Sequence, residues 1–273
     1  MELKGDKDQE AIIDNLQKWF EDNNKLPNKI DRTVLTRFYY CMYKNVEDTK
    51  ELLEINYSMR NKYPDLFIRR DPEDEDTRNT YAFTYMVPLP GLTHRNYRVT
   101  YVRFKNPDPK LMHFSQDAKT LLMIGDCRFT MPDAENNGVP VLAEGDILVM
   151  DMEGYRMQHV TGVSLRTLRV FLKFLQQAYS VRIKGLHLIN CPSYLNKIMA
   201  VVKPFISNQV YEMMHFHVTG LDTLYAHVPR DILPEECGGY AGKIEDLSDK
   251  FYKQLLSKRD YLMDPKYWVI EKV

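Results

Sequence analysis

The chain has 273 residues, 44% hydrophobic and 27% charged, an ordinary globular composition with room for a sizeable core. Lys and Arg number 37 against 38 Asp and Glu, a formal net charge of −1, which argues against a chain built around nucleic acid. Mean hydropathy is −0.45, no apolar run approaches the roughly 18 residues of a membrane-spanning helix, and the charged opening, residues 1–10, does not read as a secretory signal.

Residues 9–20 place Ile12, Ile13, Leu16, Trp19 and Phe20 at helical spacing, which predicts an amphipathic helix. A second helix is expected over 31–44, with Asp31 as N-cap, and a third over 46–63, stopped before Pro64. The acidic run 71–76 (DPEDED) is expected to be a linker. Beyond it the period changes. Residues 97–105 alternate and are rich in β-formers, predicting a strand. Residues 117–124 read as helix, 136–140 (NNGVP) as a turn, and 145–152 as a buried strand with Asp151 at its carboxyl end. The clearest helical pattern is 163–179. Leu165, Leu168, Leu172, Leu175 and Tyr179 form one stripe, and Arg166, Arg169 and Lys173 another. A buried strand over 181–190, a short helix over 194–202 and a strand over 213–218 follow. The alternation of strand and helix predicts βαβ units on a mostly parallel sheet.

The catalytic motifs that would mark a hydrolase, a zinc protease or a dinucleotide enzyme do not occur, so the chain does not read as an enzyme. His215 and His217 share one face of a strand and could be two metal ligands. No Cys, Asp or Glu stands at a helpful spacing, so a polar lining role is favoured over a metal centre. Asp151 and Glu153 beside Gly154 suit a turn better than acid–base chemistry. The four cysteines are scattered, as in proteins of a reducing cytosol. What the chain offers in quantity is 14 Met, 12 Phe and 18 Tyr, which suit both cores and pockets for oily ligands.

Residues 181–192 (VRIKGLHLINCP), Lys203-Pro204-Phe205, 217–220 (HVTG) and 227–239 (HVPRDILPEECGG) resemble the CRAL-TRIO lipid-binding family, as does Asp151-Met152-Glu153-Gly154. The motifs keep the family's order and separations, and the helical first third resembles its N-terminal region. The resemblance implies an α/β fold in three parts. Residues 1–78 would form a helical bundle. Residues 79–242 would form the lipid-binding domain, whose mostly parallel sheet floors a hydrophobic cavity closed by a helical lid. Residues 243–273 would be a helical tail. The lid maps to Tyr194, Leu195, Ile198, Met199, Val202, Phe205 and Ile206, a segment apolar over more than one face. Candidates for the cavity wall are Leu122, Met123, Ile147, Val149, Phe171, Leu175, Leu186, Leu188, His215 and His217.

Arg182, Lys184 and Lys203 stand where the family meets membrane or phosphoinositide headgroups. Other positions of that basic cluster are Gln209, Met213 and Met42 here, and the acidic headgroup position is Val181. The resemblance therefore implies a carrier of one hydrophobic ligand, tocopherol-, retinoid- or carotenoid-like, with no cofactor. It would be a cytoplasmic monomer that touches membranes transiently, anionic phosphoinositide lipids included, and binds no nucleic acid. The alternative is a phosphoinositide-binding, lipid-sensing adaptor without transfer activity. Burying a methylene is worth about 0.8 kcal/mol, so a lipid with ten of them faces a barrier of roughly 8 kcal/mol in water, which an apolar cavity removes.

Overall fold

Residues 7–271 are described by a computed structural model. The N-terminal helices are α1 (Lys7–Asp22), α2 (Arg32–Cys41), α3 (Val46–Lys62), α4 (Pro64–Phe67) and α5 (Glu75–Phe83). Burial follows the expected periodicity: α1 buries Ile13, Leu16 and Phe20, and Phe20 meets Tyr57 of α3 edge-on at 5.2 Å. Asp31 caps α2, its Oδ1 accepting the N–H groups of Thr33 and Val34 at 2.8 and 3.1 Å, which satisfies two donors the first turn leaves open.

The run 71–76 is not a linker. Asp74 caps α5 by accepting the Thr77 N–H at 2.7 Å. Asp71 is gripped by Arg259 through bonds of 2.8 and 2.5 Å, and the Pro72 carbonyl accepts the Tyr252 hydroxyl. Acidic residues just before a helix serve its capping and its dipole, and that role produces the same composition as a solvated linker.

Strands β1 (Thr84–Pro88) and β2 (Tyr97–Phe104) follow, then α6 (Phe114–Phe129) and a small hairpin, β3 (Ala134–Asn136) and β4 (Val139–Val141). Asn137 and Gly138 turn that hairpin at φ 49° and 76°, the left-handed pair that a tight two-residue turn requires. Next come β5 (Gly145–Asp151), α7 (Met157–Thr161), α8 (Leu165–Gln177), β6 (Ile183–Ile189), α9 (Leu195–Val202), α10 (Asn208–Glu212) and β7 (Met214–His217). The chain ends through α11 (Asp222–Tyr225), α12 (Ile244–Ser257) and α13 (Arg259–Met263). The main sheet has the order β1-β2-β5-β6-β7. Only the β1–β2 pair is antiparallel.

Register assigns the two faces of this sheet, because side chains alternate along each strand. Thr100, Leu148 and Leu186 are neighbours across β2, β5 and β6, as are Tyr101, Val149 and His187 one step on. Helices α6 and α8 pack toward the first set. The second set is sealed by Leu224, Val228, Leu233 and Ile244 from the C-terminal third. Asp151 ties the strand ends together, accepting from Tyr101 Oη and Asn190 Nδ2 at 2.8 Å each and from Arg103 at 3.2 Å.

The C-terminal helices share a core with the N-terminal ones. Phe251, Leu255, Leu262 and Trp268 pack in the cluster that holds Leu16, Phe20 and Leu53. Beside it Arg60 grips Asp126 through two bonds of 2.7 and 2.8 Å.

Candidate ligand-binding site

Between the sheet and its helical cover lie two neighbouring compartments that share five lining residues. The outer one holds about 1220 Å³ of space, its open mouth included. Its floor is Leu148, Met150, Leu186 and Leu188, its wall is Leu168, Phe171, Leu172 and Leu175 of α8, and its roof is Ile198, Met199, Val202 and Ile206. The inner compartment, about 680 Å³ with its opening to solvent included, shares Leu148, Phe171, Leu175, Ile183 and Leu186 with the outer one. It continues to Leu122, Arg98, Arg128, Asp146 and Tyr179. The space is lined as ligand pockets are, mostly by apolar groups with a few convergent polar ones.

The roof is α9, the 3₁₀ turn Lys203–Phe205 and α10. Of the seven residues expected on it, Ile198, Met199, Val202 and Ile206 face the cavity. Ile198 packs with Met152, Val160 and Leu188. Tyr194 anchors the start of the segment, its hydroxyl donating to the Tyr155 carbonyl, and Leu195 packs beside it. Phe205 turns away and lies under the Arg169 guanidinium at 5.5 Å.

Of the ten residues expected on the cavity wall, six line the two compartments. Phe171, Leu175 and Leu186 line both compartments, Leu188 the outer, and Leu122 and Ile147 the inner. Met123, Val149, His215 and His217 do not line it. Met123 points into the N-terminal core, and Val149 belongs to the opposite face of the sheet. His215 and His217 are on that face too, paired with His187 and Ile189. The sequence marks those strands as buried on both sides, so composition cannot tell one face from the other.

The histidines instead form a cluster. The His187 ring stacks on His215 at 4.7 Å and on His217 at 5.2 Å, and His227 lies 4.8 Å from His187. Nδ1 of His187 and Nε2 of His217 share a hydrogen bond of 2.9 Å, and His217 continues to Thr223 Oγ1 at 2.7 Å. Burial, with the neighbouring imidazoles adding to it, pulls His187 down to about 3. Nitrogens of His187, His215 and His227 all lie within 4.8 Å of one another, so this trio, rather than the pair His215 and His217, is the set with metal-ligand geometry.

Of the basic residues, Lys184 and Lys203 are exposed. Arg182 is engaged: it bonds the Glu144 carbonyl at 3.2 Å and carboxylate at 3.4 Å, and covers the Tyr43 ring at 4.3 Å. The basic stripe Arg166, Arg169 and Lys173 read from the sequence belongs to a longer feature. From Gly154 to Tyr211 there is no Asp or Glu, but there are eight Lys and Arg. That stretch builds the wall and roof of the cavity, and Arg166, Arg169, Lys173, Lys197 and Lys203 are all exposed on it. The charge balance of the whole chain hides this asymmetry.

The fold is a mixed α/β architecture in which a mostly parallel sheet floors an apolar cavity under a helical roof. The chain belongs to the CRAL/TRIO domain family, which residues 82–239 match; residues 6–77 match the family described as Pinta-like, UBA domain. It is similar to the Alpha-tocopherol transfer protein-like protein of Homo sapiens, 23% identical over 239 residues, 88% of this chain and 66% of that one. Clavesin-1 of Rattus norvegicus is 20% identical over 211 residues, 77% of this chain and 58% of that one. The chain thus spans less than two thirds of the length of these curated relatives. A crystal structure of Sfh5 superposes over 95% of this chain and 99% of that one at 13% identity and TM-score 0.48. No helix among the described residues is long and apolar enough to cross a membrane.

Proposed function

We propose that the protein holds one hydrophobic molecule in this cavity and carries it between membranes, acting as a binding and transfer protein and not as an enzyme. The observation that carries the reading is the apolar outer compartment of about 1220 Å³, roofed by a short segment with apolar residues on its inner side. The family membership and the relatives named for tocopherol transfer support a tocopherol-, retinoid- or carotenoid-like guest. No resident cofactor is required.

The acid-free stretch that surrounds the mouth suits contact with an anionic membrane, phosphoinositides included, where each basic residue near the surface contributes about 1 kcal/mol. The carrier works from the cytoplasm as a monomer and touches the membrane only to load and unload. A lipid-sensing adaptor would share the cavity and the basic face but would not move its ligand. A vesicle-to-vesicle assay with a fluorescent tocopherol separates the two. Catalytic amounts of protein should accelerate transfer, and binding without acceleration would favour the adaptor.

A further inference from the structure

The polar end of the inner compartment has an uneven charge count. Arg37, Arg98 and Arg128 surround Asp133 and Asp146. Arg37 is fully used: Nη1 bonds Asp133 at 2.6 Å, and Nε and Nη2 bond the carbonyls of Phe129 and Met131. Arg98 bridges Asp133 at 3.1 Å and Asp146 at 2.5 Å. Arg128 differs. It stands 3.5 Å from Asp133, and its Nε and Nη2 are buried without a hydrogen-bond partner. Oδ1 of Asp146 is likewise buried and unpartnered. Both residues line the inner compartment, whose remaining wall includes Leu121, Leu122, Ile124 and Phe171.

Three guanidinium groups against two carboxylates leave one positive charge in excess, under an apolar cover. Buried polar atoms are ordinarily hydrogen-bonded, and leaving one without a partner is costly. Burial beside Arg98 pulls Arg128 down to about 10, still a cation at neutral pH.

We propose that the inner compartment is a headgroup site for a single-chain amphiphile bearing a carboxylate, with Arg128 as its counter-ion and the chain running out into the outer compartment beneath α9 and α10. The assignment deepens the carrier reading and rests on it. The carboxylate supplies a third negative charge and accepts from the unpartnered Nε and Nη2 of Arg128. Burial raises the Asp146 carboxyl against the pull of Arg98, and its unpartnered Oδ1 marks the same end of the compartment as polar. A long-chain or isoprenoid acid fits this description; the corresponding ester does not.

The test is displacement of the neutral probe N-phenyl-1-naphthylamine from the full chain by oleic acid, oleyl alcohol and methyl oleate. Hydrogen bonds to charged groups predict that the acid displaces the probe at about tenfold lower concentration than the ester. In Arg128→Gln that gap should close while the ester binds as before, and Arg128→Lys should restore part of it. Equal displacement by acid and ester in the wild type, or a gap that survives Arg128→Gln, overturns the headgroup site and leaves the carrier standing. If Arg128→Gln does not fold, the wild-type comparison decides alone. Failure of the wild type to bind the probe and all three lipids overturns the carrier reading itself, and this assignment with it.

Discussion

The Gln176 side chain clamps the roof to the wall: its Nε2 donates to the Phe205 carbonyl at 3.0 Å, and its Oε1 accepts the Ser207 N–H at 2.8 Å. Gln176 belongs to α8, while Phe205 and Ser207 form the corner between α9 and α10. Opening the roof as a unit must break both bonds. A neutral hydrogen bond contributes about 1 kcal/mol, so losing both in Gln176→Ala should speed ligand release roughly thirtyfold with little change in thermal stability. Stopped-flow release of a fluorescent lipid measures this, and an unchanged rate would show that the ligand leaves by another route.

The two faces of the sheet predict opposite phenotypes. Leu148 faces the cavity and Val149 the packed core. Leu148→Trp should abolish lipid binding while leaving the unfolding midpoint near wild type, because the indole fills space and displaces no side chain. Val149→Ala should cost about 2 kcal/mol of stability and leave binding intact. Urea unfolding and lipid titration of both variants check the pairing, and a reversed pattern would refute the assignment of faces.

Acid should weaken the fold through the histidine cluster. The pKa of His187 is depressed from 6.5 to about 3, and His217 and His227 are lowered, chiefly by burial. A depressed histidine holds fewer protons folded than unfolded, so its contribution is complete above pH 6.5 and is lost as pH falls toward 3. Asp117, raised to about 6 by burial, acts in the opposite sense over part of that window, so the difference between wild type and His187→Gln is the informative quantity. The midpoint of wild type should fall more steeply than that of the variant between pH 7 and about pH 5. Parallel slopes would mean that His187 is not held neutral by the fold.

The basic roof and wall should govern membrane contact. Reversing Arg166, Arg169 and Lys203 to Glu should weaken binding to anionic vesicles by about 1 kcal/mol or more per residue, with a strong salt dependence in the wild type. Arg182→Glu should do less, since Arg182 is already occupied by Glu144 and Tyr43. Vesicle sedimentation that responds to Arg182 but not to the roof residues would place the docking face at the start of β6.

Periodicity was enough to find α1, α2, α3, α8, β2, β5 and β6, because each carries a long, regular apolar pattern. It passed over β1, a five-residue edge strand whose membership depends on pairing with β2, and it read the cap of α5 as a linker. Leu175 was legible for the same reason, since it falls on the apolar stripe of the strongly amphipathic α8. Val149 and His217 could not be placed, since a strand covered on both faces has no polar side to mark its orientation. The Arg128 site was illegible because its five charged residues come from α2, β2, α6, β5 and the loop before β3, positions brought together only by the fold.

Native mass spectrometry of the full chain after incubation with a mixed lipid extract tests the central claim most directly. The wild type should carry one hydrophobic molecule per chain, and Leu148→Trp, folded but with its cavity filled, should carry none. A wild type that stays empty, or a Leu148→Trp variant that binds as the wild type does, would contradict the assignment of this cavity as the ligand site.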